Sequence, residues 1–205
     1  MVVSGYNKWL DAHLEETEAM WANMDRGQLL AAIEKHDPAT VIEFCCGTGW
    51  IPKGLNEATQ YMGIDANAGC IAYAKRKNPE PTRMFAHLDV ITMPQPEEHD
   101  LALAFSCLKH FTLADWDQVY GMILRSGRRT LTTIFRGEER EDESPGYPHT
   151  RVSMDRVERL CEENNHRIVE IFTLPPLNKE PEPLVLTELI VAEPSASSEE
   201  SEFDL

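Results

Sequence analysis

Residues 41–53 read Val-Ile-Glu-Phe-Cys-Cys-Gly-Thr-Gly-Trp-Ile-Pro-Lys, an apolar run that contains an acid and enters a glycine-rich turn. Proline suits the first turn of a helix, so a helix can begin near Pro52. Glycines between a strand and a helix let the backbone bend sharply and let a ligand approach it closely. In open α/β sheets, ligands bind in the crevice at the carboxyl ends of the strands. The stretch therefore predicts a buried strand followed by a binding turn at Gly47 and Gly49.

Short apolar runs alternate with helical patterns around this stretch. Runs of about five apolar residues favour strands buried on both faces of a parallel sheet, and they cover 41–45, 61–64, 84–88, 101–105 and 130–135. Helical spacing of apolar residues covers 6–35, 51–58, 67–77, 113–126 and 153–165, with Thr112 and Ser153 as N-caps. Two last runs, 168–174 and 184–192, are joined by a proline-rich loop and should pair antiparallel. The order predicts an α/β domain with N-terminal helices.

The length of 205 residues suits one domain, and neither an internal repeat nor a linker divides it. We expect this domain to span residues 1–192, with N-terminal helices over 1–38 and the α/β core over 39–192. The last thirteen residues, 193–205, carry five acids and no base. Such a segment buries too little apolar surface to offset its ordering entropy, so a disordered acidic tail is predicted.

Composition excludes several classes of function. The net charge of −16 disfavours a protein that grips nucleic acid through its phosphates. No apolar run approaches the length of a membrane span, and the amino terminus lacks the pattern of a secretory signal. The five cysteines form no CxxC pair and mostly lie in apolar runs, which indicates reduced thiols in a cytoplasmic protein and no metal site.

Three acids lie in or directly after the first three predicted strands. Glu43 precedes the glycine turn, and Asp65 is placed to accept hydrogen bonds from both ribose hydroxyls of an adenosine. Asp89 can accept from the adenine amino group, with the Val90 amide offered to the ring edge. Two other interpretations stay open: the glycines serve a turn without a ligand, or Asp65 caps the next helix. A dinucleotide fingerprint would need a third glycine where Pro52 stands, which counts against a nicotinamide cofactor.

The sequence Glu43-Phe-Cys-Cys-Gly-Thr-Gly resembles the first motif, acid-x-G-x-G-x-G, of the class I S-adenosylmethionine-dependent methyltransferases, with Cys45 in place of the first glycine. Gly-Ile-Asp65 resembles the second motif, Leu-Asp89-Val the third, and residues 106–110 the segment after the fourth strand. The resemblance covers residues 41–135, and the fold fits through 192. It implies a three-layer Rossmann-like sandwich with a seven-stranded, mostly parallel sheet ordered 3-2-1-4-5-7-6, the last strand being antiparallel.

The same resemblance implies that S-adenosylmethionine is the cofactor. The residues expected to hold it are Glu43, Cys45, Gly47, Gly49, Asp65, Ala66, Asp89, Val90, Phe105 and Ser106. Glu43 would lie near the methionine end of the cofactor, directly or through water. A cofactor-binding protein without transferase activity, a nicotinamide-dependent oxidoreductase and an adenosyl lyase are the alternative functions.

The candidates for acid–base chemistry lie after the fourth and fifth strands. His110 follows strand four, and imidazole can take a proton near neutral pH. Tyr147 and His149 lie in the polar stretch 136–150, predicted to be a long loop that either forms a lid or is a solvated surface excursion. His110 has its own alternative, a histidine that packs locally at a helix start. The expected acceptor is a small molecule, with a peptide or protein next.

Overall fold

The computed structural model describes residues 14, 27–144, 147–174 and 186–195. Its α-helices are α1 (Gly27–Glu34), α2 (Ala68–Lys77), α3 (Leu113–Arg125) and α4 (Met154–Glu163). Its strands are β1 (Thr40–Phe44), β2 (Gln60–Asp65), β3 (Arg83–His87), β4 (His99–Ala104), β5 (Gly127–Arg136), β6 (Arg140–Ser144), β7 (Tyr147–Arg151), β8 (His166–Leu174) and β9 (Leu186–Pro194). Two short 3-10 helices cover Ile51–Gly54 and Leu108–His110.

Seven strands form one sheet in the order β3-β2-β1-β4-β5-β9-β8. The first five are parallel to one another, and β9 runs antiparallel to both β5 and β8. The predicted order 3-2-1-4-5-7-6 is thereby confirmed, since β8 and β9 are the sixth and seventh strands of this sheet. The chain continues from β1 to β2 on one side and from β4 to β5 on the other. Because the strand order reverses between β1 and β4, a crevice opens at their carboxyl ends.

A hydrophobic core lies on each face of the sheet, so the domain has three layers. The first core packs α3 and α4 against the sheet around Trp116, Tyr120 and Ile134. The second packs α1 and α2 against the other face around Ile33, Ile71 and Leu101. The central strand β1 contributes alternately to both cores, which explains why its sequence is apolar without alternation.

Both predicted N-caps are confirmed. The Thr112 hydroxyl accepts a hydrogen bond from the Asp115 amide, and the Ser153 hydroxyl accepts one from the Arg156 amide. Each side chain satisfies one of the amides that a helix start leaves without an intrahelical partner. Helices α3 and α4 therefore begin where the sequence predicts.

The helix predicted over 51–58 is wrong beyond its first turn. Only Ile51–Gly54 is helical, and that segment is a 3-10 helix with Pro52 in its first turn. The Arg83 guanidinium donates to the carbonyls of Asn56 and Thr59, the latter through a short hydrogen bond. Those carbonyls are thus satisfied by a side chain of β3, and the segment runs as a turn instead of a helix.

The polar stretch 136–150, predicted as a long loop, contains most of a β-hairpin. Strands β6 and β7 pair antiparallel in register from Arg140 with Arg151 to Ser144 with Tyr147. The hairpin is tied to the domain at two points. The Leu113 amide donates to a Glu141 carboxylate oxygen at 2.5 Å, and the Thr150 hydroxyl donates to the Phe111 carbonyl at 2.5 Å. These strands were not predicted because β6 and β7 consist mostly of charged and polar residues and lack an apolar run.

The structure describes the start of the predicted C-terminal tail and little of the N-terminal segment. Strand β9 runs to Pro194, and the Glu193 carboxylate pairs with Arg129 and Arg167, so the start of the predicted tail at 193 belongs to the sheet. Residues 196–205 lie outside the described residues, as does the part of the predicted helical span 6–35 that precedes residue 27, apart from residue 14. In the described part of the chain, no helix has the length and apolarity needed to cross a membrane.

Candidate active site

The glycine turn after β1 is built from left-handed backbone. The φ angles of Cys45, Gly47 and Gly49 are 56°, 52° and 68°, in a region that residues other than glycine rarely adopt. A Cβ on Gly47 would meet no atom within 4 Å, so the space above this residue is open. A Cβ on Gly49 would lie 2.8 Å from Phe85 Cε1 and 2.9 Å from Ala74 Cβ. Gly47 therefore borders the crevice, whereas Gly49 permits close packing against α2 and β3.

Cys45 keeps the backbone shape of the glycine that the family motif has at this position. Its thiol shares a hydrogen bond with Cys107, which follows β4, and this bond and burial raise the pKa of the Cys45 thiol. The substitution thus adds a side chain that connects the ends of β1 and β4. The departure from the motif changes packing below the turn and leaves the left-handed conformation intact.

Asp65 closes the turn from the end of β2. Its two carboxylate oxygens accept hydrogen bonds from the amides of Gly47 and Asn67, both at 2.8 Å. Burial raises the pKa of this carboxyl, and the two amides oppose the shift. The N-cap of α2 is Asn67, whose side chain accepts from the Cys70 amide. The interpretation of Asp65 as the helix cap is therefore wrong, and its carboxylate instead joins two strand ends.

Glu43 is buried at the other side of the turn, with 1% of its surface exposed. The Tyr61 hydroxyl donates a short hydrogen bond to Glu43 Oε2. In the parallel register Glu43 lies opposite Gly63, and Tyr61 shares a strand face with Gly63, so the missing side chain leaves room for the phenol to cross. Burial raises the pKa of Glu43 to about 8, the nearby Asp65 carboxylate adds to this, and the Tyr61 hydrogen bond opposes it.

The predicted adenine side of the site lies after β3. Asp89 is exposed, and its Oδ1 accepts from the Ile91 amide at 3.0 Å, while Val90 is buried in the first core. The Ala66 carbonyl is contacted by His87 Nε2 at 3.0 Å, which joins the ends of β2 and β3. These residues line up along the same edge as Asp65, with the exposed Asp89 carboxylate outermost.

After β4 the chain turns through a further left-handed residue, Ser106, with φ of 55°. The Thr133 hydroxyl accepts from the Ser106 amide at 2.6 Å and so fixes this conformation from β5. The Ser106 hydroxyl is buried and has no hydrogen-bond partner among the described residues. Phe105 packs edge-on against Trp50, with ring centroids 5.1 Å apart. The β4 turn is therefore strained and carries an unsatisfied hydroxyl beside the glycine turn, which is typical of a ligand site.

Two of the three predicted acid–base residues come together. His110, at the end of the second 3-10 helix, lies with its ring centroid 5.9 Å from that of His149 on β7. His149 packs edge-on against Phe135, and the Lys109 ammonium lies 4.8 Å from the centre of the same ring. For Tyr147 only the backbone, in β7, is described. The hairpin thus places the His149 imidazole beside His110 and Phe135, next to the turn after β4.

Sequence reasoning missed three contributors: Tyr61, Cys107 and Thr133. Tyr61 and Thr133 look like ordinary strand residues, and each acts on a residue that is distant in sequence. The spacing of Tyr61 and Gly63 is a usable signal, because residues two apart on a strand lie on the same face. A tyrosine next to a glycine on the face beside Glu43 can reach across to that acid. No comparable signal marks Cys107 or Thr133, because their partners are known only once β4 has neighbours.

The residues present fit S-adenosylmethionine. A nucleoside needs an acceptor for its ribose hydroxyls, which the Asp65 carboxylate provides, and open space over the backbone, which Gly47 provides. The buried Glu43 carboxyl, which forms no ion pair in the described part of the chain, suits the cationic methionine end. Among the described residues no group of three or more metal-ligating side chains is present. The arrangement suits a nucleoside with a cationic substituent.

Comparisons agree with this geometry. Residues 41–129 match the model of a methyltransferase domain, whereas no curated protein matches the sequence of the chain. The chain is similar to the 1,6-didemethyltoxoflavin-N1-methyltransferase of Burkholderia thailandensis, with 15% identity, 94% of this chain and 88% of that chain covered, and a TM-score of 0.71. It is also similar to an S-adenosylmethionine-dependent methyltransferase of Clostridium acetobutylicum, with 12% identity, 93% of this chain and 99% of that chain covered, and a TM-score of 0.68. A third similar structure is the magnesium protoporphyrin IX methyltransferase of Synechocystis PCC 6803, with 12% identity, 94% of this chain and 92% of that chain covered, and a TM-score of 0.62. At these identities the solved structures establish the fold alone, and the sequence match over residues 41–129 is to a methyltransferase domain.

Proposed function

We propose that this methyltransferase transfers a methyl group from S-adenosylmethionine to an oxygen or nitrogen of a small molecule that carries an ionisable proton. The observation that carries the proposal is the pairing of His110 with His149 beside the turn after β4, under a hairpin tied to the domain. When bound, S-adenosylmethionine supplies an electrophilic methyl group on sulfur. The remaining tasks fall to the chain: it orients both molecules, excludes water and accepts a proton.

The cofactor is proposed to lie along the strand ends from β4 to β3. In this proposal Asp65 receives the ribose hydroxyls, Asp89 and Val90 receive the adenine, and Glu43 lies near the methionine end. Gly47 lets the nucleoside approach the turn, and Cys45, Gly49 and Ala66 shape the backbone around it. Phe105 and the Ser106 hydroxyl close the side toward the acceptor. The left-handed residues on both turns and the unsatisfied hydroxyl of Ser106 support this placement.

His110 is proposed as the general base, with His149 orienting it and Tyr147 as a further candidate on the same hairpin. An imidazole accepts a proton at neutral pH, and the base contributes only when the acceptor must lose a proton. Lys109 beside Phe135 adds a positive charge to this side of a chain whose net charge is −16. That contrast favours an acceptor that develops negative charge, such as a phenol, a carboxylic acid or an acidic ring nitrogen.

A small acceptor is favoured over a macromolecule. Hairpin β6–β7 is held to the domain through Glu141 and Thr150, and its His149 packs beside His110, so we propose that the hairpin covers the acceptor and limits its size. Two of the structural neighbours are named as methyltransferases of 1,6-didemethyltoxoflavin and magnesium protoporphyrin IX. We also propose a cytoplasmic location, since all five cysteines lie in the described part of the chain and none of them forms a disulfide there.

The test is turnover. The purified protein is incubated with S-adenosylmethionine and a panel of phenols, carboxylic acids and nitrogen heterocycles, and S-adenosylhomocysteine is measured by mass spectrometry. We expect release above the acceptor-free control with at least one class. A second arm offers a mixture of peptides, and turnover confined to it would favour a protein acceptor. Tight binding of S-adenosylmethionine without turnover in either arm would favour a binding protein without transferase activity.

A further inference from the structure

Glu43 and Tyr61 form an isolated buried pair beneath the glycine turn. Both side chains are 1% exposed, and the Tyr61 hydroxyl donates to Glu43 Oε2. The other titratable groups that act on this pair are the Asp65 carboxylate and the Cys46 thiol. Arg83 also acts on Tyr61, but its guanidinium donates to the carbonyls of Asn56 and Thr59. Among the described residues no cation pairs with Glu43.

A buried carboxylate without a cation is unfavourable, and the usual remedy is to take up a proton. The second carboxylate at Asp65 strengthens this tendency, because two like charges close together oppose each other's ionisation. The pKa of Glu43, raised to about 8 first by burial, is the expected consequence. At neutral pH, Glu43 therefore carries a proton for most of the time in the cofactor-free protein.

We propose that Tyr61 is a positioning residue that holds Glu43 for the cationic methionine end of the cofactor, and that binding of this end releases one proton from Glu43 to solvent. The inference rests on the proposed placement of the cofactor. The O–H bond of the Glu43 carboxyl breaks, its proton goes to buffer, and the carboxylate left behind pairs with the ammonium group. The Tyr61 hydrogen bond then stabilises the charged form, since charge-assisted hydrogen bonds are stronger than neutral ones.

The sign of the pH dependence follows from this linkage. Because the free protein holds a proton that the complex lacks, affinity rises with pH, by roughly tenfold per unit, and levels off above about pH 8. The hydrogen bond from Tyr61 lowers the pKa of Glu43, so its removal raises that pKa further. The variant Tyr61→Phe should therefore bind about tenfold more weakly at pH 7, with its midpoint shifted upward by about one pH unit.

The experiment is calorimetry of the full chain with S-adenosylhomocysteine in two buffers of different ionisation enthalpy, from pH 6 to 9. We expect the wild type to release close to one proton per bound ligand at pH 7. Adenosine, which lacks the methionine end, should bind without release. Glu43→Gln should abolish the release, and the matched control Tyr120→Phe, at a buried tyrosine that contacts Cys161, should leave the midpoint unchanged.

Two results would overturn the inference while leaving the cofactor assignment intact: binding of S-adenosylhomocysteine without proton release, or equal release with adenosine. An unshifted midpoint in a folded Tyr61→Phe variant would reduce that residue to a packing role. If Tyr61→Phe does not fold, the loss of release in Glu43→Gln decides the question. Absence of any binding of S-adenosylmethionine or S-adenosylhomocysteine to the wild type would overturn the cofactor assignment itself.

Discussion

The side that we propose for the cofactor, around Gly47 and Asp65, and the side that we propose for the acceptor, around His110 and His149, are built in different ways; they are called the cofactor side and the acceptor side below. On the cofactor side, the Gly47 amide and the Asp65 carboxylate are 18 residues apart, and the contact between them depends on backbone shape. On the acceptor side, Thr150 reaches the Phe111 carbonyl over 39 residues, and hairpin β6–β7 brings the His149 ring beside rings carried by other elements. A site made from backbone conformation can be recognised from glycines and acids, whereas one made from assembled side chains depends on the tertiary structure.

The two sides also differ in how tightly they are constrained. Every carboxylate oxygen of Asp65 already accepts an amide, so the turn is organised before a ligand arrives. The acceptor side instead holds rings that pack at centroid distances near 6 Å, together with the unsatisfied hydroxyl of Ser106. Among the described residues, the hydrogen bonds of the Asp65 carboxylate are in place before a ligand binds, whereas the Ser106 hydroxyl on the acceptor side has no partner.

The largest effect is expected at His110, and it tests whether the acceptor side takes part in the chemistry. A general base contributes about 10²- to 10⁴-fold to a rate, so His110→Asn should lower kcat by that factor with the acceptor found in the panel. Cofactor affinity should stay unchanged, because His110 is not among the residues proposed to hold the cofactor. Steady-state kinetics and calorimetry measure the two quantities separately.

The matched control for His110 is His99→Asn. His99 begins β4, and its Nδ1 contacts the Glu97 carbonyl at the opposite edge of the sheet. We expect this variant to keep the wild-type rate. A full rate in His110→Asn would show that the acceptor needs no base, or that the base is another residue, and it would remove the proposed division of roles.

The next effect is expected at Asp65, and it tests the cofactor side. Charge-assisted hydrogen bonds are worth roughly 1.5–3 kcal/mol each, so Asp65→Ala should weaken S-adenosylmethionine binding by about one to three orders of magnitude. Asp65→Asn should do nearly as much harm, because its amide can accept at only one atom. Calorimetry measures affinity, and thermal unfolding measures the loss of the amide contacts to Gly47 and Asn67.

Asp100→Ala supplies the control for Asp65. The Asp100 carboxylate accepts the Thr40 amide at 2.9 Å and the Thr40 hydroxyl at 3.0 Å, but it does so at the amino ends of the strands. This variant should lose stability and keep its cofactor affinity. Wild-type affinity in Asp65→Ala would contradict the placement of the ribose at its most specific point.

The sheet could be predicted because its strands are continuous apolar runs and its helix starts carry caps such as Thr112. The cofactor turn could be predicted because left-handed backbone requires residues such as Gly47. The hairpin could not, since strands β6 and β7 are polar and the Thr150 contact that holds them has no local signature. Tyr61 was not predicted either: its spacing from Gly63 is a signal, but its role depends on the parallel register that puts Gly63 beside Glu43. Prediction thus failed where a function depends on neighbours across the sheet.

The smallest expected effect separates the two glycines of the turn, which one motif treats alike. Both have positive φ, so alanine at either position costs about 1–2 kcal/mol of stability from backbone strain. At Gly49 the added methyl group would also meet Phe85 Cε1 and Ala74 Cβ at less than 3 Å, and overpacking adds about 1–3 kcal/mol. At Gly47 the same methyl group meets no protein atom, but it enters the space proposed for the nucleoside.

We therefore expect Gly49→Ala to be the less stable variant by about 1–3 kcal/mol in chemical denaturation. Gly47→Ala should show the larger loss of cofactor affinity relative to its loss of stability. Equal losses of stability together with an unchanged affinity in Gly47→Ala would mean that the turn is purely structural, and the cofactor side would then lose the feature that distinguishes it from the acceptor side.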